Sequence, residues 1–231
     1  MSDKQIVEKK VLSQNDEVAA ELRRRFRKNR ITVLNLVSAP GSGKTALLEV
    51  TIKELQNRLA LAVIAGDVQT ENDALRLRRA GGVHVVPIET QGACHLDAKM
   101  VSQAVRQIPL ESIELLFIEN VGNLVCPASF DLGEQMKVAL ISSTEGDDKP
   151  LKYPAMFKRA GALVITKTDL LGLSDFDVDR ARQNASALNQ SLRIFELSSR
   201  SGEGLTSWFD WLTELVAAQR QEAPLLRDQE V

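Results

Sequence analysis

The stretch Ser38-Ala39-Pro40-Gly41-Ser42-Gly43-Lys44-Thr45 joins an apolar run, residues 31–37, to residues 46–50, which open as a helix. Strand, glycine-containing loop and helix in that order turn successive backbone N–H groups toward one point. The helix start adds its partial positive charge there. The chemistry this suits is the binding of a polyphosphate. Gly41, Ser42, Gly43, Lys44, Thr45 and Ala46 form the expected cradle, with Lys44 reaching the β- and γ-phosphates and the Thr45 hydroxyl ligating Mg²⁺. Ser38 stands where the usual pattern has its first glycine. A glycine-rich turn that binds nothing has the same composition, but the strand and helix on either side favour the phosphate reading.

Two more apolar runs end in acids. Residues 61–67 end at Asp67, and residues 115–119 end at Glu119, followed by Asn120-Val121-Gly122. In open parallel sheets, ligands bind off the carboxyl ends of the strands. Asp67 is therefore expected to hold Mg²⁺ or orient water, with a helix N-cap as the alternative. Glu119 can hold Mg²⁺ directly or through water, and Gly122 can bring its N–H close to the terminal phosphate. Either acid could position an attacking water. Cys94-His95 follows the third strand, and Cys126-Pro127 follows the Glu119–Gly122 stretch; these include both cysteines and one of the two histidines of the 231-residue chain. Thiolate and imidazole suit Zn²⁺ and Ni²⁺. Residue types alone leave this reading level with two buried, reduced cysteines beside a helix-capping histidine. Three ligands from one chain leave a tetrahedral zinc site incomplete, and a two-fold dimer would bring six together.

Thr166-Lys167-Thr168-Asp169 follows another apolar strand, where a base-reading motif is expected. The Asp169 carboxylate can accept two hydrogen bonds from guanine, and Lys167 can lay its stem along the base. Adenine would leave a buried Asp unpaired, a loss that can discriminate by roughly 10⁴-fold. Thr166 replaces the usual Asn, and Ser198, Ser199 and Arg200 are expected to supply the backbone contact to the base carbonyl. The expected nucleotide is thus GTP, hydrolysed to GDP. No arginine finger or glutamine stands at the sensor, so intrinsic turnover is expected to be slow, below the roughly 1–100 s⁻¹ of kinases.

These residues must be positioned by a mostly parallel, doubly wound α/β sheet of about seven strands, a P-loop NTPase architecture. Further strands are expected over 83–88, 137–142, 162–165 and 192–197. Helices are expected over 15–29, 71–80, from 91–97 to about 105, over 154–159, 176–189 and 205–218. In the first of these, Asn15 or Asp16 would cap, Val18, Leu22 and Phe26 share a face, and Arg23, Arg24, Arg25, Arg27 and Lys28 form a solvated basic side. Residues 1–14 are expected to be a loose lead-in, 15–218 one domain and 219–231 a loose tail. A net charge of −2 gives no argument for a nucleic-acid partner. No apolar run is long enough to span a bilayer, and Met1-Ser2-Asp3-Lys4 opens no signal peptide, so no membrane partner and a cytoplasmic location are expected. Cysteines in that compartment bind metal or do redox chemistry more often than they form structural disulfides.

The phosphate-loop stretch, Gly66-Asp67-Val68-Gln69-Thr70, Cys94-His95-Leu96-Asp97 and Glu119-Asn120-Val121-Gly122-Asn123-Leu124-Val125-Cys126-Pro127 together resemble the nickel-insertion GTPases of hydrogenase maturation, the HypB family. The resemblance spans roughly residues 15–218. It implies a homodimer promoted by GTP, a metal site at the dimer interface built from Cys94, His95 and Cys126, and delivery of Ni²⁺ to a [NiFe]-hydrogenase large-subunit precursor, with a hydrogenase maturation accessory protein as partner. The chain is less similar to the urease accessory GTPase UreG, whose Cys-Pro-His motif is met here by Cys126-Pro127-Ala128. No cysteine- or histidine-rich tract precedes the phosphate loop, so a storage role is not expected. Rival readings are a GTPase serving urease or another nickel enzyme, an ATP-using small-molecule kinase, and a non-catalytic metal-binding module.

Overall fold

Among the described residues, seven strands run parallel in one sheet, in the order His84–Glu89, Leu61–Asp67, Leu115–Glu119, Thr32–Ser38, Met136–Ser142, Ala160–Thr166, Arg193–Glu196. This computed structural model describes residues 3–69, 71–82 and 84–222, with side chains from Lys10 to Gln221. The elements in chain order are α1 (Asp3–Lys28), β1 (Thr32–Ser38), α2 (Lys44–Leu55), β2 (Leu61–Asp67), α3 (Asn72–Arg79), β3 (His84–Glu89), α4 (Ala98–Val105), β4 (Leu115–Glu119) and β5 (Met136–Ser142). Then come α5 (Lys149–Lys152), α6 (Pro154–Arg159), β6 (Ala160–Thr166), α7 (Val178–Leu188), β7 (Arg193–Glu196) and α8 (Leu205–Glu222).

The central strands read as continuous apolar runs because both of their faces are covered; all seven residues of β1 are buried. On one face they pack with α2, α3 and α8, where fully buried Trp208 donates its indole N–H to Thr51 Oγ1 at 3.0 Å. On the other face α1 and α4 cover β2 and β4, and α6 and α7 cover β5 and β6. Register brings the chemistry to one edge. Glu119 of β4 lies beside Leu36 of β1 and Ala65 of β2, so Ser38 and Asp67 emerge two residues beyond it on the flanking strands.

Several expectations are corrected. The first helix begins at Asp3, so residues 3–14 are not a loose lead-in; the chain before Ile31 contains no glycine or proline to stop it. Asn15 is therefore inside α1 rather than its cap. Residues 91–97 are a turn, a bend and irregular chain, and α4 starts at Ala98 with Asp97 as its N-cap, accepting from Met100 N at 2.7 Å. A short helix, α5, that the sequence reading does not include follows β5. The last helix runs on to Glu222, so the expected loose tail is helical at its start, and its remainder lies outside the described residues. Val83 and Thr70 also lie outside them.

Candidate functional site

The phosphate loop leaves β1 and enters α2 through Gly41 (φ 75°) and Gly43 (φ 91°), left-handed positions that glycine adopts without strain. Ser38, buried at the end of β1, accepts from Lys44 Nζ at 2.9 Å and donates to Ala39 O at 2.7 Å. The departure from glycine thus gives the lysine a resting partner. Burial lowers the Lys44 ammonium, and the Glu119 carboxylate opposes that shift. Thr45 Oγ1 donates to Glu119 Oε1 at 2.6 Å. Glu119 Oε2 is buried with no hydrogen-bond partner, and burial pushes this carboxyl up to about 7. An orphaned buried carboxylate oxygen beside a threonine hydroxyl is the donor set of a hard cation, so the residues present fit Mg²⁺.

These groups line a cavity of about 410 Å³ together with Asp67, Gly122 and Ala46. Asp67 Oδ1 accepts from Val68 N at 2.6 Å. The N-cap position of α3 belongs to Glu71, so the helix-cap alternative for Asp67 does not hold. Gly122 has no room for a side chain: a Cβ there would lie 2.8–2.9 Å from Pro40. The sensor loop therefore packs directly on the phosphate loop. The sequence pattern missed two residues at the same cavity, Asp73 and Arg76. The Arg76 guanidinium is raised by its bond to Glu49, gripping both carboxylate oxygens at 3.2 and 2.8 Å, and it reaches Asp73 at 3.3 Å. Only a structure pairs α2 with α3 in this way.

The Thr166–Asp169 stretch, expected to read the base, joins the phosphate loop. Thr166 Oγ1 donates to Ser42 O at 2.7 Å, and Lys167 Nζ donates to Gly41 O at 2.8 Å. Ser42 Oγ donates to Glu145 Oε1 at 2.7 Å, a third tie that the sequence did not suggest. Asp169 is exposed, not buried, and accepts from Ser198 Oγ at 2.5 Å. Any desolvation that enforces base choice has to come from the base covering it. Ser198 Oγ also accepts from Arg200 N at 3.1 Å, which fixes the turn around Ser199.

Cys94, His95 and Cys126 meet. Their ligand atoms all lie within 4.8 Å of one another, with the Cys94 thiol donating to Cys126 Sγ at 3.1 Å and no disulfide between them. Cys94 is exposed, Cys126 and His95 are half-buried, and Asp97 rather than His95 caps α4. The alternative of buried cysteines beside a capping histidine is thereby excluded. Burial lowers the His95 imidazolium, which favours the neutral, ligating form. The Cys126 thiol is raised by its hydrogen bond with Cys94 and by burial, so a metal must displace its proton. The His95 ring lies against Phe130, centroids 3.9 Å apart.

Buried polar groups tie this cluster to the sheet. Asn120 Oδ1 accepts from Leu96 N at 3.2 Å and from Val121 N at 3.0 Å. Its Nδ2 donates to Asn35 Oδ1 at 3.2 Å, and Asn35 Nδ2 donates to Glu134 Oε1 at 3.2 Å. Lys137 donates to Glu134 and to Phe130 O. Asn15 Oδ1 accepts from Ala98 N at 2.8 Å, and its Nδ2 donates to Asp131 O at 2.8 Å. Asn35, polar within an apolar strand, was a visible signal. Asn15 was not, because its partners are 83 and 116 residues away.

With this geometry in view, comparisons with known proteins carry weight. The family described as "CobW/HypB/UreG, nucleotide-binding domain" matches residues 32–196. The chain is 51% identical over 214 residues to the hydrogenase maturation factor HypB of Rhizobium leguminosarum bv. viciae, covering 93% of this chain and 71% of that protein. It is 43% identical over 216 residues to the hydrogenase/urease maturation factor HypB of Helicobacter pylori, covering 92% and 88%. The crystal structure of HypB from Helicobacter pylori in complex with nickel superposes with a TM-score of 0.83 at 40% identity, over 91% of this chain and 97% of that one.

Proposed function

The chain belongs to the HypB family of hydrogenase maturation factors, and from that premise we propose that it is a GTP-hydrolysing metallochaperone delivering Ni²⁺ to a hydrogenase precursor. The observation that carries this reading is the Cys94, His95 and Cys126 cluster in the same chain as a phosphate loop, joined to it through the Glu119–Gly122 sensor. A kinase has no use for a thiol and imidazole cluster beside its sensor, and a simple metal buffer has no use for a phosphate loop.

In the proposed reaction water attacks the γ-phosphorus of GTP in line, and GDP departs. Lys44 and the loop amides hold the developing negative charge, which is the main term in such transfers. Thr45, with Glu119 and Asp67, would hold Mg²⁺, which neutralises phosphate charge when bound. Asp67 or Glu119 orients the water, and Asp169, Lys167 and Thr166 read guanine. Nickel is the cargo, taken by Cys94, His95 and Cys126, with Zn²⁺ the alternative occupant of such ligands. Three ligands at an exposed position, next to Val125 with 61% of its surface accessible, support a site shared by two copies of the chain in a homodimer promoted by GTP. The γ-phosphate would order the sensor, and its loss would release it, loosening Cys126 four residues on. The receiving partners would be an accessory maturation protein and the hydrogenase large-subunit precursor, in the cytoplasm. Among the described residues, no helix is long and apolar enough to cross a membrane. The name of the Helicobacter pylori relative supports urease as a second recipient.

The test is equilibrium binding of Ni²⁺ and Zn²⁺ to the apo, GDP and GTP-analogue forms, with oligomeric state followed alongside. Metal affinity and stoichiometry should change with the nucleotide, and the analogue should favour dimers. Cys126→Ala binding metal as wild type does, with and without analogue, would sink the link between the two sites.

A further inference from the structure

We propose that Asn15 is a positioning residue for the Cys94, His95 and Cys126 cluster, holding the two segments that supply its ligands in register. The assignment rests on reading that cluster as a metal site. Asn15 is 7% exposed in the middle of α1, on the side that buries Ala19, Leu22 and Phe26. An amide buried among apolar neighbours is costly unless both of its ends are bonded, and here both are. One end takes Ala98 N, three residues after His95; the other gives to the carbonyl of Asp131, the residue after Phe130, whose ring lies against His95. A single carboxamide thus spans the segment carrying Cys94 and His95 and the segment that runs on from Cys126.

A second buried path, through Asn120, Asn35, Glu134 and Lys137, joins the same two segments at Leu96 N and Phe130 O. Asn120 adjoins Glu119 and lines the phosphate cavity, so replacing it disturbs both sites. Neither of Asn15's partners lines that cavity, so its loss should act on metal alone. Ligating side chains must be held to within roughly half an ångström of working geometry. Loss of a supporting hydrogen bond typically costs about 10- to 100-fold in metal affinity.

Asn15→Asp keeps the acceptor for Ala98 N at nearly the same shape and removes the donor to Asp131. Asn15→Ala removes both. The measurements are Ni²⁺ and Co²⁺ affinities of the full chain, the Co²⁺–thiolate charge-transfer spectrum, GDP affinity and Tm. Thr51→Ala, which breaks the buried bond to Trp208 elsewhere, serves as the control for lost stability. Asn15→Asp should bind metal about tenfold more weakly and Asn15→Ala more weakly still, with an altered charge-transfer band and unchanged GDP affinity. Thr51→Ala should leave metal affinity alone even where its Tm falls as far. Wild-type metal affinity and spectrum in both Asn15 variants would overturn the assignment. So would metal and GDP affinities that fall together with Tm, the mark of a merely structural role. Wild-type protein that binds neither ion would remove the metal reading itself, and this assignment with it.

Discussion

The phosphate site and the thiol cluster are built to different degrees of completion. Around Lys44, Thr45 and Glu119 the protein supplies its own walls: each of these residues is buried, and each has a partner within the chain. Around Cys94, His95 and Cys126 it supplies three ligands at an exposed rim, two of them thiols without a disulfide. The first site needs only a ligand. The second offers three groups where a metal of this class takes four, which suits the proposed site shared by two copies. Burial is near complete at the first site, where it raises Glu119 and lowers Lys44, and only partial at the second, where Cys94 is exposed.

The contrast can be broken or sharpened by substitution. The largest expected effect is on base choice. Asp169→Ala should reduce the preference for GTP over ATP by up to roughly 10⁴-fold, read as the ratio of kcat/KM values, with metal binding to the nucleotide-free protein unchanged. An unaltered ratio would mean that the base is read elsewhere. Lys44→Ala should lower kcat for GTP by about 10³-fold while leaving nucleotide-free Ni²⁺ affinity intact, because the cluster draws nothing from that lysine.

The third effect is on stability. Burial raises Glu119 from 4.5 to about 7 in the folded chain, so the folded state holds an extra proton between those values. Stability present below the lower value is therefore lost as pH rises through the window, on the order of 3 kcal/mol in all. Chemical denaturation of the Mg²⁺-free, nucleotide-free protein between about pH 5 and 8 should show this decline, and Glu119→Gln should flatten it. A flat wild-type profile would mean that the site is less closed than described.

The fourth effect belongs to the open cluster. Its metal affinity should climb with pH by about tenfold per unit for each thiol proton expelled, followed by competition with a chelator of known affinity. GDP affinity over the same range should move far less.

Period and punctuation made the sheet readable in advance. Apolar runs ending in Ser38, Asp67, Glu119 and Thr166 are strands buried on both faces, and in a parallel sheet their ends share an edge. The meeting of Cys94 and His95 with Cys126 was carried by family likeness more than by spacing, since residues 91–97 are non-helical chain, not the opening of α4. What local signals could not carry was long-range pairing. Asn15 looked like a cap because an asparagine before an amphipathic run usually is one, yet the helix was already under way and the amide was used across the core. Arg76 with Glu49, and Ser42 with Glu145, have the same character: ordinary surface or loop residues until the fold sets them side by side.

The ties from Thr166 and Lys167 to the carbonyls of Ser42 and Gly41 have a further consequence. A trans peptide unit points its oxygen and its hydrogen in opposite directions. Anchoring two successive oxygens on the base side therefore turns the hydrogens of Ser42 and Gly43 the other way. The segment proposed to tell one purine from another would then also set the tilt of the peptide planes that greet the anion, so a lesion behind the base would register as a slackened grip at the far end of the nucleotide.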